Sequence, residues 1–181
     1  MAERAPRADS VRNRAHILEV AREAFATEGP AVPLDEIARL AGVGAGTVHR
    51  HFPTKESLLT AVVVDRLAGL ARTARDLAQR ADAAAAFFDF LRIMTSEASE
   101  NLALTAALGG TIGEAGTSVA AELSEGLLVL LDGAKAAGAV RTDLTQQDIH
   151  AIITGAIVME RALPESRRGL GLDIVLDGLR A

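Results

Sequence analysis

The chain has 181 residues, no cysteine, 49% hydrophobic residues and a formal net charge of −5. This composition excludes disulfides, thiolate nucleophiles and cysteine metal sites, and it is rich enough in apolar residues to bury the core of one large or two small domains. No run is apolar enough for a signal peptide or a membrane span, so we expect a cytoplasmic protein with no membrane partner.

The charge is distributed unevenly along the chain. Residues 1–55 hold eight Lys and Arg against seven Asp and Glu, a net charge of +1, whereas residues 56–181 hold eleven against seventeen, a net charge of −6. The N-terminal part is therefore the part better suited to an anionic partner such as a nucleic acid.

The first predicted helix runs from an N-cap at Ser10 to about Thr27 and ends at Gly29. Residues 1–9 have the composition of a disordered basic arm. Arg12 and Arg14 lie near the start of this helix, where a helix N-terminus can meet a phosphate. Simple solvated arginines are the equal alternative.

A helix-turn-helix is predicted next. Residues 34–40 place apolar side chains on one face and two acids in the first turn, which is typical of a short amphipathic helix. Gly42 supplies a turn at positive φ, and residues 44–51 resume a helix of about two turns.

The second of these helices has little apolar surface. Val48 and Phe52 are spaced to face inward, so its other side chains face outward. Small residues and hydrogen-bond donors are what a helix in the DNA major groove requires. A solvated helix of an ordinary bundle is the alternative. The predicted DNA-facing residues are Ala45, Gly46, Thr47, His49, Arg50 and His51.

A long fourth helix is predicted to follow. Pro53 ends the second short helix, Thr54 caps the next one, and Lys55 opens it; the apolar pattern continues to about Arg80.

Sixteen positions in this region together resemble the N-terminal pattern of the TetR family of bacterial transcriptional regulators. The resemblance covers roughly residues 10–60. The matching residues are Ile17, Leu18, Ala21, Ala24, Phe25, Gly29, Ile37, Ala38, Ala41, Gly42, Val43, Gly46, Thr47, Phe52, Lys55 and Leu58.

The resemblance implies that Lys55 contacts a DNA phosphate and that the start of the first helix lies beside the DNA backbone. It also implies a variable second domain that binds an effector. Two positions depart from the family pattern: His49 stands where a tyrosine is usual, and Pro33 stands where Thr or Ser is usual.

A fifth helix is predicted over residues 83–99, capped by Asp82. Its large apolar groups are either plain core or the wall of a pocket for a largely apolar small-molecule effector. Residues 109–116, which hold four glycines, are predicted to form a loop or a broken helix; in the resembled family this region lies near the mouth of the cavity. The candidate effector-binding residues are Phe87, Phe88, Leu91 and Met94.

The last helices are predicted over about residues 118–137, 146–162 and from Pro164 onward, with Thr145 as the cap of the second of these and Asp148 three residues on. The final two have more apolar surface than one core requires, which suggests a four-helix dimer interface. The candidate interface residues are Gly155, Val158, Met159, Leu172, Val175, Leu176 and Leu179.

Catalytic and metal-binding motifs are missing from the sequence. The four His residues are dispersed, and His49 and His51 point in roughly opposite directions on a helix. We therefore expect no enzyme activity, no catalytic residues, no metal and no cofactor.

The sequence thus predicts an all-α protein of about nine helices. Residues 1–56 form a three-helix helix-turn-helix DNA-binding domain, joined by the long fourth helix to an effector-binding and dimerisation domain of residues 57–181. The expected function is a ligand-responsive repressor that binds a palindromic double-stranded DNA operator as a homodimer and is released by a small molecule. The alternative is a helical homodimer that binds a small molecule or protein without binding DNA.

Overall fold

The computed structural model describes residues 5–109 and 112–181. In these ranges all regular structure is helical, apart from one antiparallel bridge between Val140 and Arg180, so the predicted all-α fold is confirmed. No helix in the described ranges is long and apolar enough to cross a membrane. The helices are α1 (Ala5–Glu28), α2 (Leu34–Leu40), α3 (Ala45–His51), α4 (Lys55–Leu77), α5 (Ala83–Ala107), α6 (Gly113–Ala136), α7 (Gln146–Ala162), the 3-10 turn Glu165–Arg167, and α8 (Leu170–Gly178).

Four predicted helix boundaries are wrong, including the start of α6 at Gly113 rather than about residue 118 and the start of the last helix at Leu170 rather than at Pro164. The first helix begins at Ala5 rather than after Ser10, so residues 5–9 are helical and not a disordered arm; residues 1–4 lie outside the described residues. The fifth helix does not end at Ser99 but continues to Ala107, because residues 100–107 contain neither Gly nor Pro. The described chain has eight α-helices, against the expectation of about nine.

The glycine-rich segment 109–116 contains the break between α5 and α6. Gly109 and Gly113 both have φ of 65°, a left-handed conformation that glycine adopts without strain. Helix α6 already begins at Gly113, and residues 110 and 111 of the predicted loop lie outside the described residues.

The chain divides into two compact units. The first comprises Met1–Asp65 with Leu102–Gly116, and the second comprises Arg66–Asn101 with Thr117–Ala181. The division in α4 falls at Asp65, beyond the expected domain boundary at residue 56. The assignment of residues 1–56 and 57–181 to separate functional domains stays a prediction.

In the first unit, α1, α2 and α3 pack against one another. Each helix contributes apolar residues at helical spacing. The first part of α4 adds four more buried apolar residues to the same unit. The buried residues include Ile17, Ala21, Ala24 and Phe25 of α1, Ile37 and Ala38 of α2, Val48 of α3 with the adjoining Phe52, and Leu58, Leu59, Val62 and Val63 of α4.

The second unit has its own hydrophobic core. Helices α7 and α8 are in contact, and residues from both pack with residues of α4, α5 and α6 in one cluster. In α6, Gly126 lies so close to α4 that an added Cβ would be 2.7 Å from the Cβ of Ala74. The largest fully buried members of this core are Phe87, Phe90, Leu91, Leu131, Ile149, Ile153 and Leu176.

Side-chain caps fix two helix starts in the second unit. The Asp82 carboxylate accepts a hydrogen bond of 2.9 Å from the Ala85 N–H at the start of α5. At the start of α7 the Asp148 N–H donates to the Thr145 hydroxyl, and the Thr145 N–H donates to the Asp148 carboxylate at 2.7 Å. Both caps were predicted from sequence, and each satisfies backbone donors that the helix itself leaves open.

Candidate functional site

The turn between α2 and α3 has the geometry that its sequence predicts. Gly42 has φ of 64°; its N–H donates to the Arg39 carbonyl at 3.2 Å, and the Val43 N–H donates to the Ala38 carbonyl at 3.1 Å. These two hydrogen bonds form a Schellman motif, which ends α2 and redirects the chain. A side chain at Gly42 would strain this backbone conformation, so the turn depends on glycine.

Helix α3 buries one side and exposes the other. Val48 is 0% and Phe52 2% exposed, as the spacing predicts. The side opposite holds no large apolar residue, and a Cβ built at Gly46 meets no atom within 4 Å. This side of α3 is therefore polar and sterically open. Of the residues predicted to face DNA, Ala45, Gly46, His49 and Arg50 are exposed, and Thr47 and His51 are half-buried.

The predicted arginines of α1 differ in their surroundings. The Arg14 guanidinium lies over the Phe52 ring, 5.1 Å from its centroid, in a cation–π contact that joins α1 to the end of α3. Arg12 forms an exposed ion pair with Asp9. Arg14 is thus positioned beside the helix-turn-helix, whereas Arg12 lies in solvent on α1.

The start of α4 is capped in the predicted way. The Thr54 hydroxyl accepts a hydrogen bond from the Ser57 N–H at 3.1 Å, and the Ser57 hydroxyl accepts one from the Thr54 N–H at 3.2 Å. This reciprocal cap places Lys55 at the first position of α4, where its side chain is half-buried.

Acidic residues of α2 lie close to the basic residues of this region. His49 Nε2 is 3.7 Å from the Asp35 carboxylate. Arg39 donates two hydrogen bonds to Glu36, at 2.8 and 2.5 Å, and these hold the pKa of Glu36 below its ordinary value. Pro33 stands at the N-cap of α2 and makes no side-chain capping bond, as its sequence predicts. The region is therefore mixed in charge.

The structure supports the core alternative for the predicted effector-binding residues. Phe87, Phe88 and Leu91 are buried in the core of the second unit, with the two Phe rings edge to face at 5.4 Å. Met94 is partly buried and packs against the same core. These four side chains fill space between helices, as ordinary core residues do.

A cavity of about 580 Å³ lies elsewhere in the second unit, between α5, α7 and the start of α8. Its volume is in the range of sites for small molecules. Its wall combines charged and apolar groups, and sequence reasoning did not single them out. The lining residues are Arg92, Thr95, Ser96, Ile157, Glu160, Arg161, Arg168, Gly169 and Leu172.

The predicted dimer residues fall into two groups. Leu172, Leu176 and Leu179 are buried in the core of their own chain, and Val175 packs against that core. Their assignment to the partner-facing surface is therefore corrected, because the C-terminal stripe of α8 faces α7 and the rest of its own unit. Gly155, Val158 and Met159 of α7 are exposed, Val158 to 56%. Exposed Ile174 of α8, 64% accessible, was not predicted.

Two protein families match this chain. Residues 17–62 match "Bacterial regulatory proteins, tetR family", and residues 82–181 match "Transcriptional regulator SbtR-like, C-terminal domain". The crystal structure of a TetR transcription regulatory protein from Mycobacterium vanbaalenii is 42% identical, with a TM-score of 0.74 over 97% of this chain and 99% of that one. The chain belongs to the TetR family.

Further relatives agree with this assignment. A TetR transcriptional regulator from Streptomyces coelicolor is 32% identical, with a TM-score of 0.75 over 92% of this chain and 98% of that one. The uncharacterized HTH-type transcriptional regulator TtgW of Pseudomonas putida is 42% identical over 60 residues, which are 33% of this chain. That match spans 45% of the length of TtgW.

Membership of the TetR family establishes the class of function. The chain is a transcriptional regulator with a DNA-binding helix-turn-helix, and proteins of this family are transcription factors rather than enzymes. Within residues 5–109 and 112–181, no three His, Asp or Glu side chains are grouped so that they could hold a metal ion.

Sequence reasoning missed the cavity of this TetR-family chain for a physical reason. Arg92 and Arg168 are far apart in the sequence and belong to no motif, and the fold alone brings them to one wall. The one available signal was the acid Glu160 near the end of α7, where the helix dipole favours a cation over an acid.

Proposed function

We propose that this TetR-family regulator is a repressor that binds an inverted-repeat operator as a homodimer and dissociates from it when a small molecule binds the second unit. The observation that carries the proposal is the outward face of α3: a polar, sterically open surface, held in place by the buried Val48 and Phe52. A helix of this kind can approach base edges in the major groove.

The phosphate contacts in this proposal come from three helices around that face. Lys55 at the first position of α4 and Thr47 of α3 are both half-buried, so each keeps part of its surface accessible for a phosphate. Arg14, held against Phe52, and the exposed Arg12 extend the contact along α1. His49, Arg50 and His51 supply donors to bases or backbone, with His49 in the position of the usual tyrosine.

The proposed dimer surface lies on α7 and α8. Val158, Met159 and Ile174 are exposed apolar side chains on two helices that contact each other, and the open backbone at Gly155 permits close approach of a second helix. Two copies of such a helix pair would form a four-helix interface. A dimer is also required by the size of α3, because one helix of seven residues makes too few contacts for specific affinity.

Release from the operator is proposed as a population shift. A small molecule that binds one arrangement of the dimer better than another favours that arrangement, and it lowers operator affinity if the two recognition helices no longer match successive major grooves. Helix α4 contributes residues to both units and is the proposed connection between them. An operator-binding protein of this kind would act in the cytoplasm.

The test is to select the sequences that the full-length protein retains from fragmented genomic DNA and to measure their affinity at several salt concentrations. We expect an inverted repeat and a steep loss of affinity with salt, because lysines and arginines displace condensed counterions. The competing function is a helical dimer that binds a small molecule or protein without DNA. Retention of no sequence, with flat and weak duplex binding, would favour that alternative.

A further inference from the structure

We propose that the cavity between α5, α7 and α8 is a binding site for a small organic anion, a carboxylate or a phosphate ester attached to a compact apolar body. The use of this site for regulation rests on the proposed repressor function, but the binding itself does not. The residues that line the cavity favour both the anionic head group and the apolar body of such a ligand.

The charge of the wall favours an anion. Three arginines line it against one carboxylate, Glu160. Both oxygens of that carboxylate already accept backbone hydrogen bonds, one from the Gly169 N–H at 2.5 Å and the other from the Leu172 N–H at 2.8 Å. Glu160 thereby caps the start of α8, and three guanidinium groups against this one carboxylate give the lining an excess of positive charge.

The two hydroxyl groups of the wall offer no donor to a ligand. The Thr95 hydroxyl donates to the Leu91 carbonyl at 2.8 Å, and the Ser96 hydroxyl donates to the Ile93 carbonyl at 2.9 Å. Their protons are therefore committed to the backbone of α5. The donors that the wall can offer a ligand are those of the guanidinium groups, which match the paired oxygens of a carboxylate or phosphate.

The existing partners of two arginines are exchangeable. Arg92 pairs with Asp173 at 2.7 Å, and its side chain remains 49% exposed. Arg168 is 3.9 Å from Glu165 in a more exposed pair. Exposed ion pairs contribute little to stability, and each guanidinium has five N–H groups, so an anion can be bound beside the present partner or in its place.

The apolar part of the ligand is specified by two side chains of the wall. Ile157 and Leu172 are both members of the core of the second unit and present apolar surface to the cavity. A volume of about 580 Å³ exceeds that of a bare inorganic ion and suits a body of one or two rings.

The chain itself permits a direct binding assay, because it contains neither Trp nor Tyr and will not interfere with naphthalene fluorescence. The probes are 2-naphthoate, 2-naphthyl phosphate and the neutral 2-naphthamide, titrated into the full-length protein. We expect at least one anion to bind ten times more tightly than the amide, and the difference between the two anions identifies the preferred head group. Equal binding of all three probes, or no binding of either anion at millimolar concentration, would overturn the proposal.

The variants Arg92→Gln and Arg168→Gln should each weaken anion binding about tenfold and leave 2-naphthamide unaffected. Arg80→Gln is the matched control, because Arg80 forms an equally exposed pair with Asp89 at 2.9 Å and does not line the cavity. Helical content and thermal unfolding verify that each variant is folded. Anion binding that is unchanged in both cavity variants, or lowered as much by Arg80→Gln, refutes the site.

A second experiment tests the anion site and the proposed repressor function separately. Operator affinity is measured with and without the anion that binds. Loss of operator affinity supports both proposals. Anion binding that leaves operator affinity unchanged retains the site and removes its proposed role in releasing DNA.

Discussion

Replacing Gly46 with Leu should lower the affinity for operator DNA without lowering the free energy of unfolding. A Cβ at Gly46 meets no atom of the chain within 4 Å and the position is exposed, so a side chain there can extend into solvent. Glycine in a helix is less favourable than leucine by up to about 0.8 kcal/mol. The free energy of unfolding should therefore be unchanged or slightly higher in the Gly46→Leu variant.

The effect on DNA binding should be much larger and unfavourable. The major groove is about 12 Å wide and a helix with its side chains is about 10–12 Å across, so a leucine on the approaching face leaves the helix no room at its proper depth. We expect operator affinity to fall at least 100-fold, about 2.8 kcal/mol. Gly46→Ala adds a single methyl group and should give an intermediate loss.

Fluorescence anisotropy with labelled operator measures the binding, and thermal unfolding measures the stability. Ala85→Leu is the control: Ala85 is an exposed residue of α5 in the second unit, so this variant adds the same side chain away from the proposed DNA surface. Wild-type operator affinity in Gly46→Leu would mean that α3 does not enter the groove. A large loss of stability in the same variant would refute the structural reasoning itself.

Three further predictions follow from the described contacts. Lys55→Ala should weaken binding to all duplex sequences alike and lower the slope of log affinity against log salt by about one, because one phosphate contact is lost. Val158→Asp should dissociate the dimer without unfolding the protomer, because Val158 is 56% exposed. Val175→Asp should instead lower the free energy of unfolding by about 2–3 kcal/mol, because Val175 packs against the core. Thr145→Ala should lower the free energy of unfolding by about 1 kcal/mol through loss of the α7 cap. Hydrogen bonds from Thr145 lower the pKa of Asp148, so the stability that Asp148 contributes is present above the unfolded-state pKa and disappears as the pH falls below about 4; the wild-type protein should lose more stability with acid than the variant.

Each of these predictions has its own contradicting result. An unchanged salt slope in Lys55→Ala would remove that lysine from the phosphate contacts, and Arg80→Ala supplies a control for loss of charge in the second unit. Sedimentation that shows Val158→Asp to be a folded dimer would move the interface away from α7. Parallel acid-unfolding curves for the wild type and Thr145→Ala would show that the cap does not set the pKa of Asp148.

The helix-turn-helix was predictable because its determinants are local. The positive φ of Gly42, the burial of Val48 and the reciprocal cap at Thr54 each depend on residues no more than a few positions apart. Hydrogen bonds of that range are encoded in short patterns. The same holds for the cap at Thr145, which was predicted together with the start of α7.

The second unit was predicted less well because its decisive relations are not local. Periodicity shows that α8 has an apolar stripe, but it does not show whether Leu176 faces its own core or a partner, and the structure places it in the core. Clustered Phe residues at 87, 88 and 90 favour a core but are also compatible with a pocket wall, and only the structure distinguishes the two. The cavity arginines lie on separate segments of the chain, with Arg92 in α5, Arg161 in α7 and Arg168 before α8, and they have no sequence pattern at all.

Because Gly126 lies so close to Ala74, the residue that can occupy one of these positions depends on the residue at the other. Any side chain at position 126 would place its Cβ 2.7 Å from that of Ala74, but the next atom of Ala74, its Cα, is 4.0 Å away, an ordinary contact distance. Gly126→Ala alone should therefore be destabilising, and Ala74→Gly in the same chain should relieve the clash, a coupling that a double-mutant cycle measures. In homologues with the same spacing of α4 and α6, we expect alanine at one of these two positions and glycine at the other, but not alanine at both.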